Sequence, residues 1–149
     1  MDRARVAVLV VLLGVLPCAV LGDEASSAEA ARATAARFLD ALVAGESARL
    51  RPLLPRYGKV SAKLGRFGPA QGSFSAGQIE ALFADFGRHG AVRSFAVEHV
   101  DVASSRYAAV RGRVQTVDRD GVPAQCALHL GLEPEDGRWV VREIREDPP

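Results

Sequence analysis

The last third of this chain contains four strand-like runs, and only helical or irregular segments precede them. Short turns separate the runs, which span Arg93–Val102, Tyr107–Val117, Ala124–Leu132 and Arg138–Ile144. The turns after the second and third runs are rich in Asp and Gly, which favour chain reversal. Helices followed by an antiparallel meander are typical of an α+β domain. The order of segments therefore predicts an α+β fold in which one sheet packs on the preceding helices.

The second and third runs alternate between apolar and polar side chains, so they predict a sheet with one buried face. The apolar face contains Ala108, Val110, Gly112, Val114 and Thr116 from the second run, and Ala124, Cys126, Leu128, Leu130 and Leu132 from the third. The opposite face carries Arg111, Arg113 and His129. We call this second surface the outer face.

The first run breaks this alternation. Phe95 and Val97 occupy odd positions, whereas Val100 and Val102 occupy even ones. One side chain must therefore change faces, which predicts a β-bulge near Glu98–His99. A bulge at that point would curve the sheet around the helices.

Three helical segments are predicted before the strands. Ser26 and Glu29 have the spacing of a capping box and open an alanine-rich helix. Glu46–Leu54 is predicted to form a short second helix. Ser75 and Gln78 form a second capping box that opens the third helix.

The N-terminus has the pattern of a secretory signal peptide. Two arginines precede the uncharged segment Val6–Leu21, and a small residue, Gly22, closes it. We expect residues 1–22 to be removed on export to the periplasm or the medium. The alternatives are an uncleaved segment that anchors the chain in a membrane, and lipidation at Cys18.

The rest of the chain is predicted to be one domain over residues 23–146, followed by a short tail at 147–149. Residues 23–149 carry equal numbers of basic and acidic side chains, which argues against binding to nucleic acid or to a membrane surface. Cys126 is the only cysteine left after cleavage, so we expect a buried thiol, no disulfide and no metal site. No cofactor is expected.

Three short motifs carry a resemblance to a known family. Phe38–Leu50, Gly77–Phe83 and Gly137–Val141 resemble the first two helices, the third helix and the last strand of the nuclear transport factor 2-like, or SnoaL-like, superfamily. The resemblance implies a cystatin-like α+β cone, in which a curved antiparallel sheet of four to six strands wraps on about three N-terminal helices. It does not imply one function, because this scaffold hosts enzymes, ligand carriers and interaction modules.

The resemblance also implies an apolar pocket inside the cone. The predicted lining, with Tyr57 at its mouth, is Phe38, Tyr57, Phe83, Phe86, His99 and Leu128. The ketosteroid isomerases of this superfamily use a tyrosine on the first helix and a nearby carboxylate, and both are missing here. His99 and Asp101 are the nearest match to the catalytic pair of the dehydratases. The competing interpretation places both residues on the solvated face or at the bulge.

Residues 47–78 carry six basic residues and no acid. Arg56, Lys59, Lys63 and Arg66 are candidates for a patch that binds an anionic ligand or an acidic partner. The alternative is an ordinary solvated surface.

The resulting expectation is an exported, non-catalytic domain that binds a small apolar ligand or a protein. The resemblance also implies a homodimer through the outer face. Two alternatives stay open: a pocket enzyme of the dehydratase or isomerase type, and a membrane-anchored interaction module of the cell envelope. Inward-facing polar groups would favour the enzyme, and a pocket filled by aromatic side chains would favour the interaction module.

Overall fold

The computed structural model describes residues 19–68 and 70–147. Most of the predicted signal peptide, including Cys18, and the last two residues lie outside these ranges. The predicted α+β class is confirmed. The elements, in order, are helix α1 (Ala19–Ala44), a 3₁₀ helix (Ser47–Leu53), strands β1 (Val60–Leu64) and β2 (Ala70–Phe74), helix α2 (Ala76–His89), and strands β3 (Gly90–Ser104), β4 (Tyr107–Asp118), β5 (Pro123–Glu135) and β6 (Arg138–Glu146).

The ends of the helices follow local chemistry, with one exception. The capping box of α2 is confirmed: Ser75 Oγ accepts from the Gln78 N–H at 3.2 Å, and Gln78 Oε1 accepts from the Ser75 N–H at 2.8 Å. Helix α1 ends before Gly45, whose φ of 68° suits glycine. The predicted cap at Ser26 is wrong, because α1 is already helical from Ala19. Within the described ranges, no helix has both the length and the apolar character needed to cross a membrane.

The six strands form one sheet in the order β2-β1-β6-β5-β4-β3. The meander β3 to β6 is antiparallel, as predicted, and β1 pairs antiparallel with β2. The single parallel pair is β1 with β6, from Ser61 opposite Glu143 to Lys63 opposite Arg145. The sheet is therefore mixed rather than purely antiparallel, because the β1–β2 hairpin joins the meander at the free edge of β6.

The two predicted faces of the meander are confirmed. On β4 and β5, Val110, Val114, Leu128 and Leu130 are buried against the helices. The register between β3 and β4 shifts between Val97 and His99, so the predicted bulge lies at Glu98. Two further shifts occur near the ends of β3. These irregularities bend the edge strand and help the sheet to wrap the helices.

Helix α1 packs tightly against the sheet at Gly112 of β4. A Cβ at this position would lie 2.8 Å from Cδ1 of Leu39 and 3.7 Å from the carbonyl oxygen of Ala96. Leu39 is fully buried in the core, so its side chain has little room to withdraw. The glycine is therefore required for the close contact between α1 and β4.

We expect Gly112→Ala to lower the free energy of unfolding by about 1–3 kcal/mol, since it overpacks this contact. Gly87→Ala is the matched control. Gly87 is exposed within α2 and a Cβ there meets nothing within 4 Å, so alanine should stabilise the helix by about 0.5–1 kcal/mol. Urea unfolding of both variants measures the difference. Equal stabilities would show that α1 does not approach β4 this closely.

Candidate functional site

Aromatic side chains pack at the centre of the cone. Phe38 of α1 meets Phe83 of α2 edge-on, with ring centroids 5.8 Å apart. Phe67, from the segment between β1 and β2, lies 5.6 Å from Phe83 and 4.7 Å from Phe86. Phe38 and Leu128 are 0% exposed, and Phe83 is 4% exposed. The predicted pocket lining is therefore corrected in part. Phe38 and Leu128 belong to the core, whereas Phe83 and Phe86 also line a cavity of about 390 Å³ between the C-terminal ends of α1 and α2 and the start of β3.

The candidate acid–base pair lies on the outer face. His99 stands opposite Arg111 and Asp101 opposite Ala109, and both side chains are exposed. The bulge at Glu98 turns Val100 and Val102 inward for burial, which forces their neighbours outward. The expectation that His99 lines the cone is therefore wrong, and the pair has no geometric access to the interior.

The outer face carries a network of opposite charges. Glu98 accepts a hydrogen bond from Arg111 and forms an ion pair with Arg113. His129 Nε2 lies 2.7 Å from Asp147 Oδ2, and an Arg111 nitrogen lies 3.9 Å from the same oxygen. The hydrogen bond from His129 lowers the pKa of Asp147, and the nearby positive charges lower it further against the opposing effect of burial. Arg111, Arg113 and His129 share one surface, as the alternation predicts.

The predicted anion patch is smaller than the sequence suggests, because several basic side chains between residues 47 and 78 are already paired. The pairs are Arg49 with Asp40 at 2.9 Å, Arg51 with Glu80 at 3.5 Å, and Arg66 with Glu146 at 3.7 Å. Arg56, Lys59 and Lys63 are exposed. Within the described part of the chain these three have no carboxylate within 4.0 Å. Arg66 is therefore already paired, and binding of an anion by Arg56, Lys59 and Lys63 stays a prediction.

A buried carboxylate fixes the backbone of the loop that follows the 3₁₀ helix. Glu135, at the end of β5, accepts from the N–H of Arg56 at 2.9 Å and from the N–H of Tyr57 at 3.4 Å. Arg142 of β6 donates to Glu135 at 3.1 Å and to the carbonyl oxygen of Tyr57 at 2.5 Å. The Glu135 side chain is only 7% exposed. Glu135 and Arg142, which we call the clamp, therefore bind the loop from beneath.

A strand irregularity places the arginine of the clamp. The register between β5 and β6 shifts next to Gly131, which leaves Arg142 without a partner in the ladder. A Cβ on Gly58, whose φ is 78°, would lie 2.9 Å from the Arg142 guanidinium, so glycine is needed there. Arg138 adds a hydrogen bond to the carbonyl oxygen of Pro52. The backbone is thus held at Pro52, just before the loop, and at Arg56 and Tyr57 within it.

Tyr57 projects away from the protein and is 68% exposed. The prediction that it lies at the mouth of an interior pocket is wrong, because the clamp holds its backbone on the outside of the hairpin β5–β6. Its neighbours Arg56 and Lys59 are exposed as well. We call residues 56–59 the docking loop. Sequence patterns identified the basic residues, but Glu135 resembled an ordinary turn residue and gave no signal of burial.

The clamp predicts a pH dependence of stability. Burial raises the pKa of Glu135, but hydrogen bonds from the docking loop and the charges of Arg142 and Arg138 outweigh it, so the pKa lies below the usual 4.5. A carboxyl group with a lowered folded pKa stabilises the fold above its unfolded pKa, and this contribution is lost as the pH falls through the folded pKa.

We therefore expect the free energy of unfolding of the wild type to fall between about pH 5 and pH 3. Glu135→Gln should fall less over the same window, since the amide does not titrate. Urea unfolding at several pH values measures both slopes. Asp147 contributes equally to both proteins and cancels in the comparison. Parallel pH profiles would contradict an ionised Glu135 in the clamp.

Two other kinds of site have no support in the described residues. Cys126 is buried, and burial first, then the charge of Glu146, raises its thiol pKa to about 11. It is a core residue, as predicted, rather than a nucleophile. Among residues 19–68 and 70–147, no group of three or more His, Cys, Asp or Glu side chains is arranged to hold a metal ion.

The fold matches solved structures at low sequence identity. A ketosteroid isomerase-like protein from Erwinia carotovora atroseptica is 13% identical with a TM-score of 0.63, over 83% of this chain and 98% of that one. An NTF-2-like protein of unknown function from Shewanella oneidensis is 13% identical with a TM-score of 0.61, over 80% and 98%. A domain of unknown function with a cystatin-like fold from Nostoc punctiforme is 11% identical with a TM-score of 0.65, over 83% and 78%.

These matches establish the fold and leave the activity open, because identities this low do not carry function. The predicted nuclear transport factor 2-like cone is confirmed as the fold of this chain. No family model and no curated protein matches the sequence.

Proposed function

We propose that this domain of the nuclear transport factor 2-like fold is a non-catalytic module that binds an acidic protein partner through the docking loop. The observation that carries the proposal is the clamp. A buried carboxylate and a half-buried guanidinium fix the backbone of a loop whose side chains face solvent.

The packed centre of the cone supports a protein partner over a small apolar ligand. There the rings of Phe38, Phe67 and Phe83 occupy the space between the helices and the sheet. The cavity beside Phe83 and Phe86, of about 390 Å³, lies at one end of the helices. Its size is near the lower limit of the roughly 300–1,000 Å³ of a pocket for a drug-sized molecule. The proposed binding therefore takes place at the surface.

The composition of the docking loop fits the centre of an interface. Tyrosine and arginine are enriched among the residues that dominate binding energies. Arg56 and Tyr57 are adjacent in the chain, and Lys59 adds positive charge within the same loop. Since the clamp already orders the backbone, binding costs less conformational entropy than it would for a free loop. The positive charges favour a partner with an acidic surface.

The test compares three immobilised proteins in extracts of the source cells: wild type, Tyr57→Ser, and Val122→Ser. Val122 is also exposed, at 57%, but lies in the turn between β4 and β5. A partner retained by wild type and Val122→Ser is then purified, and its affinity is measured by titration calorimetry. We expect Tyr57→Ser to weaken binding about thirtyfold, as for a residue at the centre of an interface.

Affinity for the purified partner should also fall steeply as salt rises, because charge attraction is screened. Either of two results would reject the proposal. One is equal binding by Tyr57→Ser and wild type, and the other is an affinity that does not change with salt.

Self-association through the outer face remains a separate proposal. This face offers both signs of charge, with Arg111 and Arg113 near Glu98 and Asp147, and a second copy related by a twofold axis would present the complementary signs. Sedimentation at increasing concentration measures the association. A monomer at every concentration would exclude the dimer.

Export is also a proposal. Helix α1 passes without a break through Gly22, the predicted cleavage point. Sequencing the N-terminus of the mature protein distinguishes the forms. A start near Asp23 supports cleavage, whereas an intact start favours the membrane-anchored alternative.

A further inference from the structure

We infer that the groove beside the docking loop is a subsite for a carboxylate side chain of the partner. This inference rests on the proposed function and adds the chemical group that is recognised. The groove has a volume of about 610 Å³ and lies between the docking loop and the start of α2. Its lining includes three arginines, Arg51, Arg56 and Arg138, and no acidic residue.

The three arginines that line the groove come from different elements. Arg51, at the end of the 3₁₀ helix, packs on Gly77, where a Cβ would lie 3.0 Å from its nitrogen. Arg138 comes from β6 and is oriented by the carbonyl oxygen of Pro52. Arg56 extends from the docking loop, with its backbone fixed by Glu135. The groove is therefore lined by three positively charged residues, and each of them is positioned by contacts with the rest of the protein.

Two carboxylates outside the lining contact these arginines. They differ in the number of hydrogen-bond partners that they already have. Glu135 lies 3.5 Å from Arg138 but also accepts two backbone N–H groups and Arg142. Glu80 lies 3.5 Å from Arg51 and has no other hydrogen-bond partner among the described residues.

Glu80, at the edge of the groove, thus competes with a carboxylate of the partner for Arg51. Arginine presents a planar fork that matches a carboxylate. The pair with Glu80 shows that the Arg51 guanidinium is oriented to donate hydrogen bonds to a carboxylate. An acidic side chain of the partner would take the place that Glu80 now occupies. This gives a prediction with an unusual sign, because removing the charge of Glu80 should strengthen binding.

The test uses a fluorescein-labelled hexaglutamate peptide and measures its affinity by fluorescence anisotropy. Four proteins are compared: wild type, Arg51→Gln, Glu80→Gln and Arg119→Gln. Arg119 is exposed in the turn after β4, so its variant removes the same charge far from the groove. We expect Arg51→Gln to weaken binding about fivefold, as for one solvent-exposed ion pair. Glu80→Gln should tighten binding, and Arg119→Gln should leave it unchanged.

The inference is overturned if Arg51→Gln and Arg119→Gln behave alike, or if Glu80→Gln fails to tighten binding. It is also overturned if inorganic phosphate displaces the peptide at an ionic strength at which chloride does not, because the groove would then prefer phosphate. Thermal melts of each variant confirm that the fold is intact. If these results fail while partner binding still depends on Tyr57, the docking loop stands and only the carboxylate subsite is lost.

Discussion

Replacing Phe38 by alanine is expected to lower the free energy of unfolding by about 3–5 kcal/mol, the range for removing a buried aromatic ring. Phe38 is 0% exposed and meets Phe83 edge-on in the centre of the cone. Its loss removes apolar burial and leaves a cavity that surrounding helices and sheet close only in part. Urea unfolding, followed by circular dichroism, measures the change.

The same variant tests whether the interior is filled. If it is, the new cavity should be dry and apolar, and benzene should raise the melting temperature of Phe38→Ala but not that of the wild type. Val122→Ala is the control, since the exposed Val122 should change stability by less than about 0.5 kcal/mol. A loss below about 1 kcal/mol for Phe38→Ala, or stabilisation of the wild type by benzene, would indicate an interior that is already open.

The second large effect is expected at the clamp. Glu135→Gln should lower the free energy of unfolding by about 2–3 kcal/mol, because it leaves two arginines without their shared carboxylate. The amide still accepts a hydrogen bond from the docking loop, which limits the loss. Released from the clamp, the loop should open locally, and trypsin should cleave after Arg56 or Lys59 faster than in the wild type.

Glu133→Gln is the matched control for the clamp. Glu133 lies on the same strand and contacts the same arginine, with 3.6 Å between its carboxylate and Arg142 Nε, but its side chain is 49% exposed. An exposed pair of this kind contributes about 0–1 kcal/mol. Similar losses for the two variants would mean that burial of Glu135 has no special role. Unchanged cleavage of Glu135→Gln by trypsin would mean that the docking loop is held by other contacts.

Several features of the fold followed from the sequence because they depend on neighbours in the chain. The Ser75–Gln78 capping box requires only a spacing of three residues and a following helix. The apolar face of β4 and β5 follows from alternation, since burial favours side chains on one side of a strand. The bulge at Glu98 follows from the change of parity within β3, for the same reason.

Other features depended on partners that alternation does not specify. A strand pattern gives the buried face but not the neighbouring strand, so the parallel pairing of β1 with β6 was not predicted. The change of parity located the bulge beside His99, but it did not show whether the His99 side chain points into the cone or to solvent. Only the register with β4 showed that the acid–base candidates face solvent.

The four strand-like runs by themselves determined the class of the fold, the two faces of its sheet and the place where it bends, because hydrophobic burial imposes a local period on the chain. The tertiary structure alone shows that Glu135 fixes the loop on which the proposed binding rests. Glu135 and the backbone of Arg56 are 79 residues apart in sequence, and such contacts leave no periodic trace. The rings of Phe38, Phe67 and Phe83 likewise come from separate elements, so only the tertiary structure shows that they pack together at the centre of the cone.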